Sequence, residues 1–98
     1  MVIKVGIVDD HPMVILGVTG YVDAQPDLAV TASGASVGHM LRTQQPVDVV
    51  LLDLILADGS TPTANVATLT PLAYVVAFTS GDRPELVREA GRAGVSGM

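Results

Sequence analysis

Side chains that carry oxygen follow three separate apolar runs in this 98-residue chain. They are Asp9 with Asp10, Asp53, and Thr79 with Ser80. If the three runs are parallel strands, these side chains meet at the carboxyl edge of one sheet, where open α/β proteins bind ligands. Three clustered carboxylates would raise the pKa of at least one of them and destabilise the fold unless a cation compensates. Because hard oxygen ligands favour Mg²⁺, the pattern predicts a magnesium site at Asp9, Asp10 and Asp53.

Asp53 is the best candidate for a reacting group. It directly follows the aliphatic run 49–52, and stability alone does not explain a carboxylate at the end of a buried strand. A carboxylate beside Mg²⁺ is a competent nucleophile toward phosphorus, and the product is an aspartyl phosphate. A hydroxyl such as that of Thr79 can bind one oxygen of the incoming phosphoryl group.

Plainer explanations exist for several of these side chains. Asp9 and Asp10 could be a helix N-cap and a solvated acid, and a Thr such as Thr79 is common at the end of a strand. We interpret His11 and His39 as surface or capping residues rather than ligands. The metal interpretation is favoured for the aspartates because they follow neighbouring strands.

Strand and helix patterns alternate four times along the chain. The predicted strands cover residues 2–8, 28–32, 47–52 and 74–78, and the predicted helices cover 12–24, 37–45 and 62–69. A fourth helix opens within 81–85 with Asp82 as its N-cap, and Gly94 is its C-cap. On the first helix, Val14, Val18 and Val22, with Leu16 and Ile15 beside them, are expected to form the apolar face. This alternation predicts a single α/β domain of parallel strands joined by right-handed crossovers.

Composition excludes several classes of function. The formal net charge is −5, with ten acidic against five basic residues, so we expect no nucleic acid to bind this segment itself. No apolar run approaches about eighteen residues, so we expect no membrane span. The absence of Cys excludes disulfides and thiolate metal sites, and the cytoplasm is the expected location.

Four spaced motifs together resemble the receiver domain of two-component response regulators, in the helix-turn-helix class named after LuxR. The motifs are Val8-Asp9-Asp10-His11-Pro12, Val49-Val50-Leu51-Leu52-Asp53, Phe78-Thr79-Ser80 and Ala93-Gly94-Val95-Ser96-Gly97. The resemblance covers the whole chain in the expected order. It implies a flavodoxin-like (CheY-like), doubly wound parallel sheet with strand order 2-1-3-4(-5).

The resemblance also implies a role for each matching residue. Asp53 would accept a phosphoryl group from a partner histidine kinase. Asp10 would bind Mg²⁺ directly, Asp9 directly or through water, and Ile55 through its backbone carbonyl. Thr79 would be the switch hydroxyl that moves toward the phosphoryl group. The output would be regulation of transcription, with DNA bound by an effector domain absent from this segment.

The sequence departs from the family pattern in three places. The family has a Lys before a Pro after the final Gly, but the only Lys here is Lys4. Ala57 stands where the family prefers Pro. The last strand and helix are missing, so residues 1–98 are expected to form an incomplete receiver domain. The edge of the fourth strand, or the fourth helix, would then be available for a homodimer.

Three kinds of function remain open on the sequence. The first is a phosphorylatable receiver, which labels itself from a phosphodonor but is not an enzyme. The second is a receiver-like interaction module that works without phosphate, which the absent Lys favours. The third is a phosphatase with an Asp nucleophile. This third reading is weakened because Ile55 stands where such enzymes place a second acid.

Overall fold

The computed structural model describes residues 1–78 and 83–98, and it contains four strands and four helices in strict alternation. They are β1 (Ile3–Val8), α1 (Pro12–Asp23), β2 (Leu28–Gly34), α2 (Val37–Leu41), β3 (Val49–Asp53), α3 (Pro62–Leu69), β4 (Tyr74–Phe78) and α4 (Pro84–Ala93). Proline begins three of the helices because its ring presets a helical φ where no backbone donor is needed. Gly94 ends α4 with a φ of 104°, a conformation that glycine adopts without strain.

The four strands form one parallel sheet in the order β2-β1-β3-β4, which confirms the predicted flavodoxin-like topology. The register pairs Val8 with Leu52 across β1 and β3, and Asp53 with Phe78 across β3 and β4. The residues that follow β1 and those that end β3 therefore lie side by side at the carboxyl edge of the sheet.

Helix α1 packs on one face of the sheet, and α2, α3 and α4 pack on the other. The residues of α1 that meet the core are Ile15, Val18 and Val22, of which Val22 is buried at 8% exposure. The prediction that Val14 faces the core was wrong, since 36% of its surface is exposed. An apolar residue at nearly every position of this helix left the choice of buried face to the packing against the sheet.

Several element boundaries also differ from the prediction; β3, predicted at 47–52, spans Val49–Asp53, and β1 and α1 each differ by one residue. Strand β2 extends to Gly34, because α2 lies against that residue and the Gly34 carbonyl accepts a hydrogen bond from the Asp9 amide. Helix α2 ends at Leu41, well short of the predicted residue 45. Just after this end, the Thr43 hydroxyl donates to the Met40 carbonyl at 2.7 Å. Helix α4 has Arg83 at its N-cap position, one residue later than predicted, and Asp82 lies outside the described residues.

The edge of β4 is partly covered by the last residues of the chain. Gly97 forms a parallel bridge with Val76, the Ser96 amide donates to the Val75 carbonyl at 2.7 Å, and the Ala77 amide donates to the Gly97 carbonyl at 2.9 Å. A fully open fourth-strand edge was therefore a wrong expectation, because residues 95–97 return to the sheet as an incipient fifth strand.

The longest helix among the described residues is α1, with twelve residues. Within 1–78 and 83–98, no helix combines the length and the apolar character needed to cross a bilayer.

Candidate functional site

Asp9 and Asp53 are buried at the carboxyl edge of the sheet. Asp9 directly follows β1 and is 2% exposed, and Asp53 is the last residue of β3 and is 6% exposed. The Asp9 amide donates to the Gly34 carbonyl at 3.1 Å, which fixes its backbone to β2. The central strands therefore hold two carboxylates side by side at the buried edge of the sheet.

Asp10 links this pair to the loop that follows β3. Its Oδ2 accepts a hydrogen bond of 2.6 Å from the Ala57 amide. A Pro at position 57 has no amide hydrogen, so the departure from the family pattern at Ala57 supplies this bond. The other oxygen, Oδ1, is buried and has no hydrogen-bond partner among the described residues. A buried acceptor without a partner is costly, and a cation would remove that cost.

His11 joins the cluster, which the sequence analysis did not predict. It occupies the N-cap position of α1, but its side chain makes no capping hydrogen bond within the described part of the chain. Its Nδ1 instead lies 2.9 Å from Asp9 Oδ1 and 2.9 Å from Asp10 Oδ1, and its amide donates to Asp9 Oδ1 at 2.8 Å. The hydrogen bond to Asp9, then the charge of Asp10, raise the pKa of His11. The only signal in the sequence was its place directly after two aspartates.

The environment of Asp53 disfavours its charged form. Burial is the main cause that raises the pKa of this carboxyl, and the charges of Asp9 and Asp10 raise it further. The Ile55 amide, which donates to Asp53 Oδ1 at 3.1 Å, and the neighbouring His11 act in the opposite direction. An ionised Asp53 is thus strained electrostatically, and it is relieved by any added positive charge.

The structure brings three of the five predicted site residues together and leaves the roles of the other two as predictions. One ligand atom from each of Asp9, Asp10, His11 and Asp53 lies within 4.8 Å of the others. This donor set, with the unpartnered Asp10 Oδ1, fits a divalent cation. Thr79 lies outside the described residues, so its place at the site stays a prediction. The role of the Ile55 carbonyl as a ligand is likewise a prediction.

The raised pKa of Asp53 makes stability depend on pH. Above its folded-state pKa the ionised carboxyl opposes folding, and this penalty vanishes below the unfolded value of 3.8. In metal-free buffer, Asp53→Asn is therefore expected to raise the free energy of unfolding by about 1 kcal/mol at neutral pH. The gain should shrink as the pH falls toward 3.8, as measured by urea unfolding across that range.

Asp58→Asn is the matched control for that experiment. Hydrogen bonds from the hydroxyl and amide of Ser60 lower the pKa of Asp58, so its charge stabilises the fold above its unfolded pKa, and this contribution is lost as the pH falls. The two substitutions should change stability at neutral pH in opposite directions. A neutral-pH loss of stability in Asp53→Asn would contradict the electrostatic account of the site.

Proteins that resemble this chain in sequence and proteins that resemble it in fold are both response regulators. No protein-family model matches the chain. The response regulator protein VraR of Staphylococcus aureus is 34% identical over an alignment of 99 positions. The alignment covers 97% of this chain and 47% of VraR. The chain thus spans about half the length of the curated relatives it matches.

Solved structures extend this likeness to the whole described fold. A two-component response regulator of the LuxR family from Aurantimonas superposes with a TM-score of 0.80 and 28% identity, covering 99% of this chain and 72% of that one. The signal receiver domain of the response regulator NarL from Mycobacterium tuberculosis superposes with a TM-score of 0.79, covering 98% of this chain and 81% of that one. Its 22% identity supports the fold alone.

Proposed function

Since this chain belongs to the response regulators of two-component systems, as one of their receiver domains, we propose that Asp53 is its phosphoacceptor. In this proposal Asp53 takes a phosphoryl group from a histidine kinase in the presence of Mg²⁺. The observation that carries the proposal is the convergence of Asp9, Asp10 and Asp53 at the carboxyl edge of the sheet, with ligand atoms within 4.8 Å of one another. A structural role alone does not explain why Asp9 and Asp10 lie beside Asp53, because burial already raises the pKa of Asp53 and their charges raise it further.

The proposed reaction uses Asp53 as the nucleophile. One oxygen of its carboxylate forms a bond to phosphorus while the bond between phosphorus and the donor's leaving group breaks, and the leaving group departs with the electron pair. The Ile55 amide holds Asp53 Oδ1 at 3.1 Å and so fixes the orientation of the carboxylate. Mg²⁺, when bound, supplies positive charge that offsets the charge of the phosphoryl oxygens.

The residues assigned to Mg²⁺ are Asp9, Asp10, Asp53 and the backbone carbonyl of Ile55. Asp10 Oδ1 is the strongest candidate ligand because it is buried and accepts no hydrogen bond among the described residues. Thr79 is assigned as the switch hydroxyl that binds the phosphoryl group, on the strength of the family motif in the sequence. The domain labels itself from a phosphodonor and is not assigned a turnover activity.

The proposal extends to partners and location. A histidine kinase in the cytoplasm supplies the phosphoryl group, and residues 1–98 form the receiver domain that takes it. The output is regulation of transcription through an effector domain outside these residues, because ten acids against five bases suit this segment poorly for DNA. A homodimer would use α4 or the part of β4 that residues 95–97 leave uncovered.

Labelling with a small phosphodonor tests the proposal directly. The chain is incubated with Mg²⁺ and acetyl phosphate, and its intact mass is measured by mass spectrometry. We expect the mass of one phosphoryl group to be added to the native chain and to Asp58→Asn, whose altered aspartate lies in the loop that follows β3. Asp53→Asn should gain none, because an amide is no nucleophile toward phosphorus at neutral pH.

A second candidate function, an interaction module that works without phosphate, is favoured by one observation. The only Lys of the chain, Lys4, lies near the start of β1, at the edge of the sheet opposite Asp53. Absence of labelling, with no response to a beryllofluoride mimic, would support this module and overturn the phosphoacceptor. Sustained release of inorganic phosphate would instead support an Asp-nucleophile phosphatase.

A further inference from the structure

The imidazole of His11 lies between two carboxylates of the cation site. Its Nδ1 is 2.9 Å from Asp9 Oδ1 and also 2.9 Å from Asp10 Oδ1. A single ring proton on Nδ1 can make a good hydrogen bond to one of these oxygens, and Asp10 Oδ1 has no such partner among the described residues. A simple ion pair of His11 therefore leaves one of its two neighbours unsatisfied.

The spacing of these atoms is that of ligands around one metal ion. Two ligand atoms at right angles, each roughly 2.1 Å from an ion, are about 3.0 Å apart, and opposite ligands are about 4.2 Å apart. The imidazole nitrogen is 2.9 Å from each of its two carboxylate neighbours, which is the spacing of adjacent ligands. The imidazole nitrogen thus lies where a neighbouring ligand of the same ion would lie.

The exposed position of His11 lets its ring move toward an ion without disturbing the core. Asp9 and Asp53 are 2% and 6% exposed, so their carboxylates are held in place by the sheet. The His11 side chain is 65% exposed, so small rotations of the ring toward an ion displace solvent rather than packed side chains. The Asp9 and Asp53 carboxylates are held in fixed positions, whereas the imidazole lies on the solvent side of the cluster and can rotate.

From this arrangement we propose that His11 Nδ1 is a metal ligand beside Asp9 and Asp10, so that the site prefers first-row transition divalent ions over Mg²⁺. The inference rests on the metal site of the proposed function and names the ion class that this chain selects. Mg²⁺ takes oxygen ligands, whereas imidazole nitrogen strengthens binding of ions such as Co²⁺ and Zn²⁺. Because Asp53 would hold the same ion, the identity of that ion would affect the phosphorylation of Asp53.

Comparing Co²⁺ with Mg²⁺ on the full 98-residue chain tests this inference. Affinities are measured by calorimetry, and the visible absorption of Co²⁺ reports a nitrogen ligand independently of any activity. The native chain is expected to bind Co²⁺ at least about tenfold more tightly than His11→Asn does. Mg²⁺ affinity should fall little or rise in that variant, so the selectivity ratio collapses. His39→Asn, which removes the other imidazole, should keep the native ratio and spectrum.

The outcomes separate this inference from the proposed function. If His11→Asn keeps both the native Co²⁺ to Mg²⁺ ratio and the Co²⁺ spectrum, His11 is only a counterion and the inference is overturned. If Mg²⁺ binds normally and the native chain shows no preference for Co²⁺, the inference fails while the proposed function stands. If the native chain binds neither ion, the magnesium site of the proposed function fails with it. Far-ultraviolet circular dichroism verifies that each variant is folded.

Discussion

Gly34→Ala is expected to lower the free energy of unfolding by about 3 kcal/mol, the upper part of the usual range for overpacking. A Cβ built on Gly34 would lie 2.5 Å from the backbone nitrogen of Met40 and 3.0 Å from the Met40 Cα. Those atoms belong to the backbone of α2 and cannot move aside as a flexible side chain can. Either α2 leaves the sheet or β2 shifts, and a shift of β2 disturbs the bond from the Asp9 amide to the Gly34 carbonyl.

Gly17→Ala is the matched control, and its expected effect has the opposite sign. Gly17 lies inside α1, and a Cβ there would meet no described atom within 4 Å outside the helix's own backbone. Because Ala favours a helix interior over Gly, this variant should be more stable by up to about 1 kcal/mol. Urea unfolding followed by circular dichroism measures both variants. Equal stability of Gly34→Ala and the native chain would show that α2 is not packed this closely on β2.

Asp10→Asn is expected to weaken Mg²⁺ binding by about a hundredfold or more. Removing a residue that only supports a metal ligand already lowers metal affinity by up to about a hundredfold, and Asp10 is itself a proposed ligand. The substitution takes a charged ligand from the cluster, but its amide oxygen can still accept from the Ala57 amide. Without metal, the variant should be at least as stable as the native chain, because one of three mutually repelling carboxylates is gone. Mg²⁺ affinity should thus fall while the free energy of unfolding does not, as expected of a residue that serves binding rather than stability.

Asp27→Asn controls for the change in net charge. Asp27 is exposed and lies just before β2, at the edge of the sheet opposite the cluster. It should keep native Mg²⁺ affinity, as measured by calorimetry at constant ionic strength. Similar losses of affinity in the Asp10 and Asp27 variants would mean that long-range charge, rather than ligation by Asp10, attracts the cation.

Much of the fold follows from local patterns in the sequence. The predicted bounds of α3 and β4 match the structure, and the strand order is confirmed. These features depend on signals within a few residues, such as Pro62 at the start of a helix and aliphatic runs without polar interruption. Parallel pairing then follows from the alternation of strands and helices, because each helix returns the chain to the end of the sheet where the previous strand began.

The buried face of α1 needed the tertiary structure. Apolar residues fill nearly the whole helix, so periodicity did not distinguish Ile15, which packs on the sheet, from Val14, which is 36% exposed. The extension of β2 to Gly34 also needed it, since only the close approach of α2 requires a glycine there. Both depend on contacts between elements that are distant in sequence.

For the candidate site, too, some features follow from the sequence and others only from the tertiary structure. The sequence by itself determined which carboxylates could meet, because Asp9, Asp10 and Asp53 each follow an apolar run that forms a central strand. Only the tertiary structure decided what surrounds them: the His11 ring 2.9 Å from two carboxylates, and the Ala57 amide on Asp10. A strand pattern specifies the edge at which a side chain emerges. The direction of a ring and the path of a loop depend on the packed neighbours, and these depend on the whole chain.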